Sequence, residues 1–388
     1  MDGNKTRTWS DLPADIASAI AGRLTDRADL SRFRSVCPSW RSGSAAHAAR
    51  RRVPFLLLPT ESYGGAAAGR RAWSLAGDRL RNIPVPEAAG RSFLFASGHG
   101  WMLAVAERDL SAALVYPFAG GDLRLPALPA SSFGDGGEEK DKLIRDLSWD
   151  WSPHGVVVST RVSGACLWDD EGKGAFFSRP GDESWTPVGS PSACVTGVTY
   201  CGGAFYLLEG STCKVTAVDA ETLVVAAVIA PPELGIPSWG REANLAAGPP
   251  GGEILLAVRT ALLHSGVVTN KVVKVFRASR AAGGDRSLSW SEVAGGIGGG
   301  RAVFVDHLRA ICVDATALAG VRGNCLYVAG GHEEVNDDYG MDVSGRYTVE
   351  VLDVAELRTV DLSFGSLASV RLSSFRQWPT WSLPSLHC

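Results

Sequence analysis

The chain has 388 residues and no unbroken apolar stretch longer than eight, Leu223–Ala230. A membrane-spanning helix needs about 20 such residues, so none is expected. The opening MDGNKTRTWSDLP lacks the apolar core of a signal peptide, which sets the expectation that the chain is not secreted. None of the eight cysteines forms a CxxC pair and no HxxxH accompanies them. A zinc site is therefore not expected, and reduced, mostly buried thiols of a nuclear or cytoplasmic protein are. Lysine is scarce, seven against 31 arginines, which reads as codon bias rather than function. Neither sign of charge is in excess: 38 Lys+Arg against 41 Asp+Glu, with a pI near 6.2, argues against general nucleic-acid binding.

The signatures of familiar enzymes are also missing. No GxSxG, HExxH or Walker GxxxxGK[ST] occurs. The run Gly295–Arg301 lacks GxGxxG spacing and reads as a turn. His99, between two glycines, reads as a turn or core residue rather than a base. The acidic run Glu333–Asp342 lacks the spacing of a calcium loop and reads as an exposed insertion. Asp169-Asp170-Glu171 reads as a hairpin tip, and Arg50–Arg52 as a helix end whose charges complement the dipole. Carboxylate pairs brought together from distant parts of the chain would leave no local trace, so a hydrolase or oxidase stays open as an alternative at this point.

What is abundant is glycine, 45 residues without a period of three, hence many tight turns. Charge divides the chain. Residues 1–52 hold ten Lys/Arg and five Asp/Glu, a net of +5; the remainder holds 28 and 36, a net of −8. The basic segment reads as three helices. Ser10 or Asp11 is placed to cap the first, with Pro13 in its first turn and Leu12, Ile16, Ile20 and Leu24 as one apolar stripe. Thr25 or Asp26 is placed to cap a second carrying Leu30, Phe33 and Val36. Pro38 ends it, and a third runs from Ser39 toward Arg50, with Trp40 on its apolar side.

Beyond Phe55 the texture changes to short apolar runs separated by Gly, Pro, Asp and Ser. Phe55–Leu58, Trp101–Val105, Gly155–Ser159, Ala204–Leu208, Glu253–Val258 and Cys325–Ala329 are examples. They predict an all-β domain. A unit of glycine turn, buried strand, second strand, turn and third strand recurs. Its turns fall at Gly100, Gly155, Gly203, Gly252 and Gly323, spaced by 55, 48, 49 and 71 residues. Two units end alike, in Ser184–Val188 and Ser289–Val293. Propeller blades run about 40–50 residues, so a β-propeller of five to seven blades, best six, is expected. The long interval would hold an insertion or a further blade.

Two resemblances sharpen this. The segment Trp9–Ser42 resembles an F-box, through Leu12-Pro13, Ile16, Ile20, Leu24, Asp29-Leu30, Phe33-Arg34, Val36-Cys37 and Trp40-Arg41. Pro38 stands where that family usually has Lys, Arg or another polar residue. The remainder resembles the β-propeller that follows the F-box in a large group of plant proteins, through His99–Trp101, Tyr116–Phe118 with Leu125-Pro126, Ser184-Trp185, Arg322–Tyr327 and Trp378–Ser385. The resemblance implies a helical F-box over 9–52 and a substrate-recognition propeller over 53–388. It implies a non-catalytic substrate receptor of an SCF-type ubiquitin ligase, without cofactor or metal. Leu12, Pro13, Ile16, Ile20, Leu24, Leu30, Phe33, Val36, Cys37 and Trp40 would meet an acidic Skp-type adaptor, and through it a cullin and a RING subunit. The propeller would bind a target protein; neither nucleic acid nor membrane is an expected partner. A propeller scaffold that binds without promoting degradation is the alternative.

Overall fold

A computed structural model describes residues 9–24, 27–50, 53–59, 69–75, 78–85, 88–89, 91, 93–97, 100–116, 121–129, 147–160, 174–189, 194–210, 212–235, 241–248, 252–264, 267–280, 288–293, 295–298, 300–318, 320–334, 344–356, 358–360, 364, 367, 371–372 and 379–383. Short helices lead: α1 (Ala14–Arg23), α2 (Arg27–Ser35), α3 (Pro38–Gly43) and α4 (Ala45–Arg50). Four replace the three expected, because the third breaks at Ser44. Its buried hydroxyl turns back onto the Trp40 and Arg41 carbonyls, at 2.7 and 3.1 Å. Pro13 is the N-cap of α1 rather than part of its first turn, and no side chain caps that helix. Ser10 and Asp11 lie in a preceding 3-10 turn. Helix α3 begins at Pro38 itself: the missing N–H costs nothing there, and Cys37 Sγ accepts the Trp40 N–H at 3.5 Å. Thr25, Asp26, Arg51 and Arg52 lie outside the described residues.

The rest is a six-bladed β-propeller. The first blade takes β1 (Phe55–Leu57), β2 (Gly69–Ser74) and β3 (Arg79–Pro84). The second is β4 (Phe93–Ala96), β5 (Met102–Val105), β6 (Ala112–Val115) and β7 (Asp122–Leu125). The third is β8 (Leu147–Ser152), β9 (Gly155–Thr160), β10 (Ala175–Ser178) and β11 (Thr186–Val188). The fourth is β12 (Val195–Cys201), β13 (Ala204–Glu209), β14 (Val215–Asp219) and β15 (Val225–Ile229). The fifth is β16 (Arg241–Gly248), β17 (Glu253–His264), β18 (Val267–Arg280) and β19 (Leu288–Glu292). The sixth holds β20 (Arg301–Val305), β21 (Ala310–Asp314), β22 (Cys325–Glu334), β23 (Ser344–Asp353), β24 (Arg358–Val360) and the short β25 (Arg371–Leu372). Finally β26 (Thr380–Ser382) returns to the first blade and becomes its innermost strand, pairing Phe55 with Ser382. Strands from both ends of the chain thus close the ring, and closure buries faces that no single blade could cover.

The glycine turns at Gly100, Gly155, Gly203 and Gly252 each join the innermost strand of a blade to the next one outward, and all four have positive φ. Gly155 is the tightest: a Cβ there would stand 2.5 Å from the Phe177 ring. The 71-residue interval before Gly323 holds no further blade. It is taken up by the long β17–β18 hairpin and by a strand inserted in the sixth blade. There β20 turns back through Asp306–Arg309 into β21, which takes the inner position, and β20 then pairs in parallel with β22. The twin sequences at Ser184–Val188 and Ser289–Val293 supply the outermost strands of the third and fifth blades. Apolar clusters fill the gaps between blades, the largest around Trp73, Phe304, Tyr327 and Trp381 between the sixth and first.

Polar side chains on the innermost strands stitch one blade to the next. Ser148 Oγ accepts the Val198 N–H at 3.0 Å, and Asp150 Oδ2 accepts the Tyr200 N–H at 2.8 Å. Thr199 donates to the Leu245 carbonyl at 3.2 Å, and Asn244 to the Asp306 carbonyl at 3.4 Å. Each satisfies a backbone group that would otherwise be buried without a partner.

Among the described cysteines Cys201, Cys213, Cys312 and Cys325 are buried free thiols and Cys37 is half-buried. Cys194 corrects the expectation of reduced thiols: it is disulfide-bonded. Such a pairing depends on proximity in space, which spacing along the chain does not reveal.

Candidate functional site

The helices carry their own small core. Ala17 and Ala21 of α1 meet Leu30 and Phe33 of α2, with Leu12, Leu24 and Trp40 packed at the margin. Alanine at i and i+4 lets the helices approach closely. So does Gly43 of α3, where a Cβ would stand 3.0 Å from the Ala14 carbonyl oxygen. Trp40 stacks on Phe33 with ring centroids 4.4 Å apart and donates its indole N–H to the Trp9 carbonyl at 2.9 Å. Arg34 and Arg41 each donate to the other's carbonyl, at 2.9 and 3.3 Å, tying α2 to α3. Ser18 Oγ and His47 Nε2, 3.0 Å apart, tie α1 to α4.

This core divides the residues singled out from sequence. Leu30 and Phe33 are interior. Leu12, Leu24, Cys37 and Trp40 are half-buried, and Pro13 is exposed. Ile16 is 45%, Ile20 36% and Val36 55% exposed; Trp9, not singled out, is 76% exposed. The apolar stripe of α1 thus splits, because Ala17 and Ala21, each one residue after an isoleucine, take the inward face. Among the described residues, none from the propeller clusters joins the helical core. The exposed isoleucines and Val36 are not covered by the propeller. Arg23, Arg32 and Arg41 are exposed beside them. Exposed apolar side chains on a small folded unit are a feature of protein–protein interaction surfaces in general.

Among the described residues no comparable constellation forms elsewhere. Among the described residues no three His, Cys, Asp or Glu side chains converge on a metal-sized site. The Gly295–Arg301 run is the turn entering the sixth blade. Its Gly295, Gly296, Gly298 and Gly300 have positive φ, and Asn324 Oδ1 accepts the Ile297 N–H at 2.6 Å. Arg277 and Arg301 both pair with Glu253 and donate to the Ile297 carbonyl, so these ions are spent on structure. Glu333 and Glu334 continue β22. His99, Asp169–Glu171 and 335–343 lie outside the described residues.

Fold and site together define a β-propeller protein led by a small helical unit. The family model described as the KIB1-4 beta-propeller matches residues 72–351, and the chain belongs to that family. It is 47% identical over 51 residues to an Arabidopsis thaliana protein named as an F-box protein, At1g65770, covering 13% of this chain and 14% of the relative. It is 23% identical over 214 residues to a second so named, At5g55150, covering 52% and 54%. The chain therefore spans about half or less of the length of the curated relatives it matches. These findings and the helices make it a plant F-box protein with a propeller domain. Among solved structures, the Cps50 (Swd1) propeller domain of Myceliophteria thermophila aligns over 80% of this chain and 90% of its own. The identity is 10% and the TM-score 0.37.

Proposed function

We propose that the chain is the substrate-receptor subunit of an SCF-type ubiquitin ligase, divided into a docking unit over 9–52 and a target-binding propeller over 53–388. The helices bind a Skp-type adaptor, which recruits the cullin and RING subunit. The supporting observation is the apolar surface of Trp9, Pro13, Ile16, Ile20 and Val36, left exposed by helices whose interior is already filled. The flanking arginines suit an acidic adaptor and would mainly speed and orient docking. The receptor itself performs no chemistry. It raises the effective concentration of a target beside the charged conjugating enzyme. Such a protein acts in the nucleus, the cytoplasm or both.

Co-expression with a plant Skp-type adaptor and cullin tests the reading. The wild-type chain should co-purify with both, and the Leu12→Ala/Pro13→Ala variant with neither while keeping its near-ultraviolet circular dichroism. Equal retention by the folded variant would sink the docking model.

A further inference from the structure

Outside the helices, the large apolar side chains left exposed among the described residues all stand on one stretch of chain. Val224, just before β15, and Val225 and Val228 within it are 64, 48 and 52% exposed. They belong to the longest apolar run, Leu223–Ala230. Leu223 and Ile229 of that run pack onto apolar clusters of the fourth blade. The three valines join neither cluster. Among the described residues β15 is the outermost strand of its sheet and pairs with β14 alone.

An open edge invites pairing with another chain, and folded proteins guard it with charged residues or proline. The other outermost strands of this ring carry such a guard: Arg81 in β3, Arg124 in β7, Pro187 in β11, Glu292 in β19 and Arg358 in β24. β15 reads Val-Ala-Ala-Val-Ile, without charge or proline. A bulge at Ala226 shifts its register, so that Val225 stands opposite Val218 and Val228 opposite Thr216. Those partners are two residues apart on β14, which places both valines on one face of the sheet. Charge returns only beyond the ends, at Glu221 and Glu233, both exposed.

We propose that β15 receives an extended segment of a partner protein as a fifth strand of the fourth blade. The segment has apolar residues at alternate positions, which cover Val225 and Val228, and a basic residue at each end, toward Glu221 and Glu233. Main-chain hydrogen bonds supply affinity, the alternate side chains specificity, and the charges orientation. A second copy of this chain fits less well. Antiparallel pairing of β15 with itself would bring Glu221 of one copy toward Glu233 of the other, and like charges across a strand pair are destabilising. The proposal rests on the propeller as the target-binding part, and shares no residue with the adaptor dock.

Calorimetric titration of the end-blocked peptide KVTVTVK into the full chain tests this. Wild type should bind it. KVTPTVK, which keeps the charge but breaks the strand, and EVTVTVE, which reverses the charge, should each bind at least tenfold more weakly. Val225→Lys/Val228→Lys, which gives β15 the guard of the other blades, should also weaken KVTVTVK at least tenfold while its titration with the Skp-type adaptor is unchanged. No binding by wild type, equal binding of KVTPTVK or EVTVTVE, or undiminished binding by the variant would each overturn the proposal. So would sedimentation showing a wild-type dimer and a monomeric variant, since a second copy then fills the edge. Should the variant fail to fold, the comparison of KVTVTVK with KVTPTVK on wild type decides. Adaptor binding without peptide binding would sink this strand proposal and leave the docking model standing.

Discussion

Asp306 Oδ2 accepts the backbone N–H of Trp381 at 2.9 Å, across 75 residues of chain. The same carboxylate holds its own turn through Leu308 and Arg309, and the Trp381 indole N–H donates to the Val305 carbonyl at 3.1 Å. One buried side chain therefore fastens the strand that completes the first blade to the hairpin that fills the sixth. Asp306→Ala would leave three buried N–H groups without acceptors. At about 1–3 kcal/mol each, a loss of several kcal/mol is expected. Denaturant unfolding should show it as a lower midpoint, and Ser148→Ala, which frees one N–H, should fall well short of it.

The helical core separates positions that stabilise the helices from those of the proposed docking surface. Leu30 is fully buried in that core, so Leu30→Ala should cost about 2–5 kcal/mol of local stability. Ile20→Ala touches a half-open position and should leave helix content nearly unchanged. Far-ultraviolet circular dichroism of both variants checks this; equal loss of helix would mean that the two faces are wrongly assigned.

The turn glycines are not equivalent. Gly155 has φ +151°, and a Cβ would meet the Phe177 ring at 2.5 Å and the Ser178 carbonyl oxygen at 2.7 Å. Gly252 has φ +109° with no atom within 4 Å of a Cβ. Alanine at Gly252 should therefore cost only the backbone strain, about 1 kcal/mol, and alanine at Gly155 about 1–3 kcal/mol more for the overlap. Thermal unfolding of the two variants should rank them in that order.

Buried thiols give the protein an alkaline limit. Burial pushes Cys312 from 9.0 up to about 12, and raises Cys201, Cys213 and Cys325 as well. The folded state thus holds these protons more tightly than the unfolded chain. Their contribution is fully present below pH 9 and is lost as pH rises from 9 toward 12. The loss is up to about 1.4 kcal/mol per pH unit for each group. Cys312→Ala should flatten the fall in unfolding midpoint between pH 9 and 11, with both proteins compared at each pH. An unchanged slope would contradict the assignment.

Legibility followed locality. The blades at Gly100, Gly155, Gly203 and Gly252 could be read because each has its turn and second strand in one continuous stretch. The first blade could not, since Phe55–Leu57 and Thr380–Ser382 belong together only after the ring closes. The inserted strand Ala310–Asp314 carries the same apolar texture as its neighbours, so nothing marked it as an addition. In the helices the order of apolar residues was plain, but their facing was not. Ala17 and Ala21 are too weakly apolar to outrank Ile16 and Ile20 in a periodicity argument. They win in space because small side chains admit Leu30, Phe33 and the α3 backbone. Trp9 lay outside the stripe and was missed. Arg309 and Asp306 left no local signal, since their partner at Trp381 is distant in sequence.

The most direct measurement is a calorimetric titration of a plant Skp-type adaptor into the full chain and into its Ile16→Asp/Ile20→Asp variant. Placing two carboxylates in an apolar interface centre should weaken binding by at least 100-fold, about 2.7 kcal/mol, while the propeller's near-ultraviolet signal stays intact. Equal affinity of the two proteins, or no binding by the wild-type chain, would contradict the account of these helices as an adaptor dock.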